Sequence, residues 1–233
     1  MAMTDDCVIV TGAAGNLGSV VARMLAMRGA QVVCVDRSER AFDMAGIDPA
    51  RVMWISGADL SEKSAMDQVV AGAQARFGRV TGLVNTVGGF ATGRVTGDAL
   101  DQWDLMMTLN AKVALVTSAC VLPAMQAAGR GRIVHIAAQP GLKAGAGQAA
   151  YAASKAAVIR LVEAIAAEHR ADRITANCIL PGTIDTPANR AAMPNAGADV
   201  WIPPAAIAEV IAFLVSPAGA VVTGAAIPAT ALV

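Results

Sequence analysis

Tyr151 and Lys155 stand four residues apart in an alanine-rich run, YAASKAAVIRLVEAI. Positions i and i+4 share one face of a helix, so the phenol and the ammonium can serve one site. Tyr151 is the only tyrosine in the chain. An ammonium beside a phenol favours the phenolate and lowers its pKa. A tyrosine so tuned can protonate a developing alkoxide or take a proton from an alcohol. Such a pair also arises by chance, so its meaning depends on what accompanies it.

What accompanies it is a nucleotide-binding pattern. An apolar run, CVIVT, leads into Gly12, Ala13, Ala14, Gly15, Asn16, Leu17 and Gly18, and a helical pattern follows. Glycines let such a turn approach a pyrophosphate closely, and the helix start supplies oriented N–H donors. Asp36 closes the second apolar run, QVVCV. Its carboxylate suits the hydroxyls of an adenosine ribose and repels a 2′-phosphate, which favours NAD over NADP. Arg37 beside it works against that preference. Asp59 and Leu60 follow the third run, where the carboxylate is either an adenine contact or a helix cap. Asn85 ends the fourth run and is either a cofactor contact or a structural turn residue. Gly88 and Gly89 then allow a close approach.

These residues need a scaffold that gathers strand ends. Strand patterns occupy 7–11, 31–35, 51–55, 80–84, 132–137, 174–180 and 221–227. They are continuously apolar, as in a parallel sheet covered on both faces. Helical patterns occupy 17–28, 61–77, 99–109, 111–128, 151–169 and 204–215, with a weaker one at 38–47. The alternation predicts an α/β architecture: one doubly wound, Rossmann-like domain spanning 1–233, with a seven-stranded parallel sheet and helices on both faces. The segment 185–202 breaks the rhythm and is expected to form a substrate-covering flap.

Composition bounds the rest. The chain has 233 residues, 18 basic and 18 acidic, so its formal net charge is zero. That removes the general attraction on which nucleic-acid backbone binding relies. Charged residues are only 15% against 55% hydrophobic. So few charges, with a 151–169 helix expected to be buried on nearly all sides, predict self-association. Cys7, Cys34, Cys120 and Cys178 form no CxxC pair and read as buried hydrophobes. The start of the chain lacks a basic region before its apolar run, which points to the cytoplasm. The uncharged stretch 210–233 is long enough for a membrane span, but Pro217, Gly219, Gly224 and Pro228 divide it, so no membrane association is expected. His135 reads as a core residue and His169 as a helix-end residue, and no metal site is expected.

Together TGAAGNLG (11–18), Asp36, Asp59-Leu60, NTVG (85–88), Asn110, YAASK (151–155) and PGTIDT (181–186) resemble the classical short-chain dehydrogenase/reductase family over nearly the full length. The resemblance implies NAD(P)-linked oxidoreduction and a homotetramer, or a homodimer. It implies that Tyr151 is the general acid/base, that Lys155 holds the ribose, and that Asn110 supports a water relay to the lysine. It adds Val87 to the cofactor contacts, and Pro181, Gly182, Thr183, Ile184 and Thr186 around the nicotinamide carboxamide.

Two departures stand out. Asn16 replaces a usual glycine, and a left-handed, altered phosphate turn is expected there. Ala138 stands thirteen residues before Tyr151, where the family places a catalytic serine. Gln139 is the nearest substitute donor, or else an exposed loop amide. A dihydropteridine reductase branch shares the missing serine, and VGGF (87–90) and DTPANRAAMP (185–194) are similar to it. Phe90, Arg190, Met193 and Trp201 are the remaining candidate pocket walls, with Arg190 either facing water or meeting a carboxylate. Three readings follow: an NAD-preferring carbonyl or alcohol oxidoreductase, an NADH-dependent quinonoid dihydropteridine-type reductase, and a non-enzymatic nucleotide-binding or structural subunit with a degenerate active site.

Overall fold

Valine and isoleucine dominate the strands because β-branched side chains pack well on a pleated surface covered from both sides. The computed structural model describes residues 3–38, 45–197 and 201–230. Strands β1 (Cys7–Thr11), β2 (Gln31–Asp36), β3 (Val52–Ser56), β4 (Gly82–Asn85), β5 (Gly131–Ile136), β6 (Ile174–Pro181) and β7 (Ala226–Ala229) form one parallel sheet in the order β3-β2-β1-β4-β5-β6-β7. The order reverses beside β1, so a crevice opens beyond the carboxyl ends of β1 and β4. Pairing of Thr11 with Val35 and Asn85 brings the ends of β1, β2 and β4 to one edge.

Helices α1 (Asn16–Met27) and α7 (Pro204–Val215) pack on one face, and α2 (Lys63–Phe77), α4 (Val113–Ala127) and α5 (Ala149–Glu168) on the other. Each face has its own core. Ile9, Val33, Leu83 and Ile133 point to one side, and their neighbours Val8, Val10, Val84 and Val134 to the other. This alternation explains why the strand runs carry no polar break.

Helix α3 (Ala99–Met106) continues into α4 through a π-helical segment, Met107–Lys112. The two helical patterns at 99–109 and 111–128 are therefore one interrupted rod. This stretch, 99–127, is also long and apolar enough to cross a membrane by length and composition, and half of its apolar window is buried. The 210–233 stretch divides instead into the end of α7, a 3-10 turn at Pro217–Val221, and β7.

Several boundaries differ from expectation. The last strand starts at Ala226, because the Asn177 side chain clamps the segment before it. Its amide donates to the Val222 carbonyl at 2.8 Å and accepts from the Ala225 N–H at 3.1 Å. At β3 the chain makes a 3-10 turn, Pro49–Arg51, capped by Asp48, before pairing begins. Helix α5 is not buried all round: its outer face carries an Arg160–Glu163 ion pair at 2.8 Å. Most of the 38–47 helix pattern lies outside the described residues, and 45–47 form a turn. The four cysteines are free and buried, and burial pushes the Cys7, Cys34 and Cys178 thiols up to about 12.

Candidate active site

At the β1–α1 turn the backbone nearly touches itself. A Cβ on Gly18 would lie 2.1 Å from the Gly12 carbonyl oxygen, and one on Gly12 would lie 2.6 Å from Thr86 Oγ1. Gly12 also has φ +69°, which side-chain-bearing residues rarely adopt. Thr86 Oγ1 donates to the Thr11 carbonyl at 2.7 Å and ties β4 to the turn. Gly15 caps α1 with extended backbone and no side-chain hydrogen bond. The first N–H groups of α1 therefore lack a capping side chain and form an anion-binding end. Asn16 corrects an expectation: it is the first residue of α1 in helical backbone, not a left-handed one. Among the described residues only Arg173 has positive φ without being glycine.

A cavity of about 350 Å³ runs from this turn across the strand ends. Gly12, Gly15, Asn16, Leu17, Gly18, Asp36, Arg37, Asp59, Leu60, Val87 and Gly88 line it, as expected from sequence. Thr86, Ala58, Leu109 and Val113 line it as well and were not singled out by pattern. Thr86 was visible only as part of NTVG. Asp36 Oδ2 accepts from the Ala14 N–H at 3.0 Å and Oδ1 from the Ser38 N–H at 2.9 Å. Each oxygen keeps a second lone pair for a ligand hydroxyl. The Arg37 guanidinium is drawn away to Asp59 Oδ1 at 2.8 Å. That oxygen also takes both the N–H and the hydroxyl of Ser61, and together these hold the Asp59 carboxyl down at about 2.

Asn85 does not line this cavity. It is 2% exposed, and its side chain belongs to a buried chain of hydrogen bonds. Asn85 Oδ1 accepts from Thr11 Oγ1 at 2.6 Å, and Asn85 Nδ2 donates to His135 Nδ1 at 3.1 Å. That fixes the His135 tautomer, so Nε2 donates to Ser118 Oγ at 2.8 Å. Burial, with the Lys155 charge second, pushes His135 down to about 3. His135 is thus the neutral core residue its strand position implied.

The second half of the site is built on α5 and the π-helical segment. Lys155 is 5% exposed, and its Nζ donates to the Ile136 carbonyl at 2.8 Å. Burial lowers it to about 8. Asn110, 1% exposed, sits in the π-helical segment. Its Oδ1 accepts from the Gly89 N–H at 2.9 Å, and its Nδ2 donates to the Gly89 carbonyl and to Ser154 Oγ. Ser154 Oγ donates in turn to the Tyr151 carbonyl at 2.7 Å. Ser154 was not foreseen, although YAASK contains it. A Cβ on Gly88 would meet Asn110 Oδ1 at 2.8 Å and Lys155 Nζ at 3.1 Å, so the loop after β4 lies directly on both.

Tyr151 stands beside them, with the Phe90 ring edge-on at 4.9 Å between centroids. Lys155 Nζ lies 5.9 Å from the Tyr151 ring centre, bonded to a carbonyl and not to the phenol. The expected depression of the phenol is therefore not found in this arrangement. Burial pushes Tyr151 up instead. Among the described residues no group hydrogen-bonds its hydroxyl, which leaves that hydroxyl for a ligand. Ala138, two residues past β5, is 6% exposed and in extended backbone. Gln139 opens the 3-10 turn that follows and is partly exposed.

The carboxyl end of β6 carries Pro181, and Gly182 pairs with Ala229. Thr183 and Ile184 pair with Ile202. Thr186 is spent as a helix cap: its Oγ1 accepts from the Asn189 N–H at 3.1 Å and starts α6 (Pro187–Ala192). Arg190 is not free to greet a carboxylate. Both arms of its guanidinium hold Asp185, at 2.6 and 2.7 Å, and it stacks over the Trp201 ring. Trp201 is only 5% exposed and serves as the floor of the flap, whereas Met193 is 40% exposed.

Residues 6–197 match the family described as short chain dehydrogenase. An uncharacterized oxidoreductase of Staphylococcus aureus strain USA300 is 29% identical over 185 residues, 79% of this chain and 80% of that protein. The crystal structure of levodione reductase superposes with a TM-score of 0.88 at 26% identity, covering 97% of this chain and 96% of that one. A short-chain type dehydrogenase/reductase from Mycobacterium ulcerans gives 0.88 at 25% identity, over 98% and 89%. With its sheet order, its glycine turn and its Tyr–Lys pair in place, the chain belongs to the short-chain dehydrogenase family.

Proposed function

We propose that the protein is an NAD-preferring oxidoreductase that interconverts a small carbonyl compound and its alcohol, with Tyr151 as the general acid/base. One observation carries this reading: among the described residues the Tyr151 hydroxyl has no hydrogen-bond partner, and it lies on the helix that also holds Lys155, beside the loop that covers Asn110. A bound nicotinamide supplies or accepts the hydride. The chain's own residues bind and orient. Gly12 and Gly18 keep the turn open for a pyrophosphate, and the α1 start offers N–H groups to it. Asp36 receives the adenosine ribose hydroxyls, and the pairing of Arg37 with Asp59 supports NAD over NADP. Lys155, buried and lowered to about 8, is placed to donate to a ribose hydroxyl.

In the reducing direction Tyr151 donates its proton to the developing alkoxide, and in the oxidising direction it withdraws one. Ala138 offers the substrate oxygen no second donor, so Tyr151 acts without the usual partner. Phe90 and Met193 supply apolar surface for the substrate. Exposed apolar side chains at Leu100, Leu105 and Leu115 support self-association of the same protein. Four buried, unpaired cysteines are in keeping with a cytoplasmic setting.

The test is Tyr151→Phe. It removes one oxygen and keeps the ring against Phe90. NADH affinity, measured by fluorescence titration, should change little, while steady-state turnover across a panel of ketones, quinones and a quinonoid pterin should fall by at least about a hundredfold. Turnover at the wild-type rate overturns the assignment.

A further inference from the structure

The amino ends of β5 and β6 open on a cavity of about 750 Å³, at the sheet edge opposite the glycine turn. Four arginines line it: Arg130 and Arg132 at the start of β5, and Arg170 and Arg173 between α5 and β6. Among the described residues only Arg130 of these four meets a carboxylate, Asp6 Oδ1 at 3.1 Å. Asp5 and Asp6 line a separate cavity of about 230 Å³ on the other side of Arg130 and Arg132. The nearby Asp172 carboxylate is taken by His169 and Gln126. Among the described residues the Arg170 and Arg173 guanidiniums have no hydrogen bond or ion pair. Arg132 donates to the Gly131 and Arg173 carbonyls and makes no ion pair among the described residues.

A second observation points to a ligand. Thr175 lines the cavity and is 6% exposed, yet among the described residues its hydroxyl has no hydrogen-bond partner. Arg132 Nε, on the same wall, is also buried and unpartnered. Buried polar atoms are normally paired, so an orphaned hydroxyl and an orphaned guanidinium nitrogen on one cavity mark a missing acceptor. Thr223 adds a hydroxyl whose oxygen already accepts from the Ala176 N–H, so its hydrogen is available to donate.

We propose that this cavity binds a small molecule bearing two or more adjacent phosphate charges. Guanidinium forks match phosphate oxygens two at a time. The volume suits a small molecule, and the exposed side chain of Val221 offers its organic part an apolar contact. The chain as a whole is neutral, so the positive charge is local to a concave site and does not form a field for a long polyanion. Burial holds the Arg132 guanidinium below the usual arginine range, Asp6 opposes this, and Arg130 adds to it. A bound anion relieves both burdens.

The experiment is calorimetric titration of pyrophosphate, ATP and inorganic phosphate into the wild-type protein and into the double variant Arg170→Gln/Arg173→Gly. Arg173 has φ +59°, so glycine suits its backbone and the fold should survive, as a thermal melt will check. Pyrophosphate and ATP should bind saturably to the wild type and about tenfold or more weakly to the double variant, while NADH binding stays equal. Three outcomes overturn the proposal. One is the absence of saturable binding up to about 1 mM. Another is binding that the double variant retains in full, which belongs to the glycine turn. The third is inorganic phosphate binding as tightly as pyrophosphate, which denies the need for adjacent charges. Thr175→Val gives a further check, since loss of its hydroxyl should weaken pyrophosphate several-fold.

Discussion

In the proposed mechanism Ala138 leaves Tyr151 as the hydroxyl donor to the substrate oxygen, without the serine partner that the family resemblance implies. Removing one donor to a developing oxyanion costs roughly 2.7–4 kcal/mol in enzymes that have it. Restoring one should therefore help if the substrate oxygen sits where the fold implies. Ala138→Ser adds a single oxygen to a residue in extended backbone that is 6% exposed. The expected result is a rise of about tenfold or more in kcat/KM for carbonyl substrates, with unchanged NADH affinity. An unchanged or lower kcat/KM across the panel would show that this chain positions its substrate differently. The placement of Tyr151, Lys155 and Asp36 was legible in the sequence, because helical spacing and a strand end put them where the structure has them, whereas the expected lowering of the Tyr151 phenol by Lys155 was not found. The roles of Thr186 and Arg190 were not legible. Their partners, Asn189 and Asp185, are set by how the flap folds back on itself, and a charge in a sequence does not reveal its counter-charge.

At the scale of elements, the β1–α1 crossover is the least forgiving part of the molecule. Gly18→Ala would place a methyl 2.1 Å from the Gly12 carbonyl, against backbone that cannot swing aside. That variant should lose several kcal/mol of stability by comparison with overpacked cores, which lose about 1–3 kcal/mol. A lower melting temperature and weakened NADH binding in the same protein are the readouts, and a wild-type melt would refute the crowding. The glycine turn and most helices could be read from pattern, since strand, glycine cluster and helix follow one another along the chain. The π-helical segment could not. Its sequence, MTLNAK, has no helix breaker, and the contact made from within it, Asn110 reaching both backbone groups of Gly89, is long-range. Strand β7 was displaced for a similar reason, since the Asn177 clamp is a long-range contact that periodicity does not encode.

Across the whole molecule, the buried chain Thr11–Asn85–His135–Ser118 links three adjacent strands to α4. It also makes stability respond to acid. His135 sits near 3 in the folded protein, far below its ordinary 6.5. Between those values the unfolded chain binds a proton that the folded one refuses, so folding stability falls as pH drops. The contribution is about 1.4 kcal/mol per pH unit below about 6.5, and it is absent above it. Urea unfolding between pH 7 and pH 5 should show this slope in the wild type and a shallower one in His135→Gln. Equal slopes would assign the acid sensitivity elsewhere.

The interrupted rod from residue 99 to 127 has an evolutionary consequence. A π turn holds more residues than the regular turn it replaces, so deleting one residue within 107–112 would mend the hydrogen-bond ladder locally. The flanking turns would keep their phase, so Val113, Val121 and Met125 would stay in the interior. What would be lost is the widened turn that presents Asn110 to Gly89, so related chains that keep this contact should keep the extra residue even where the surrounding letters drift.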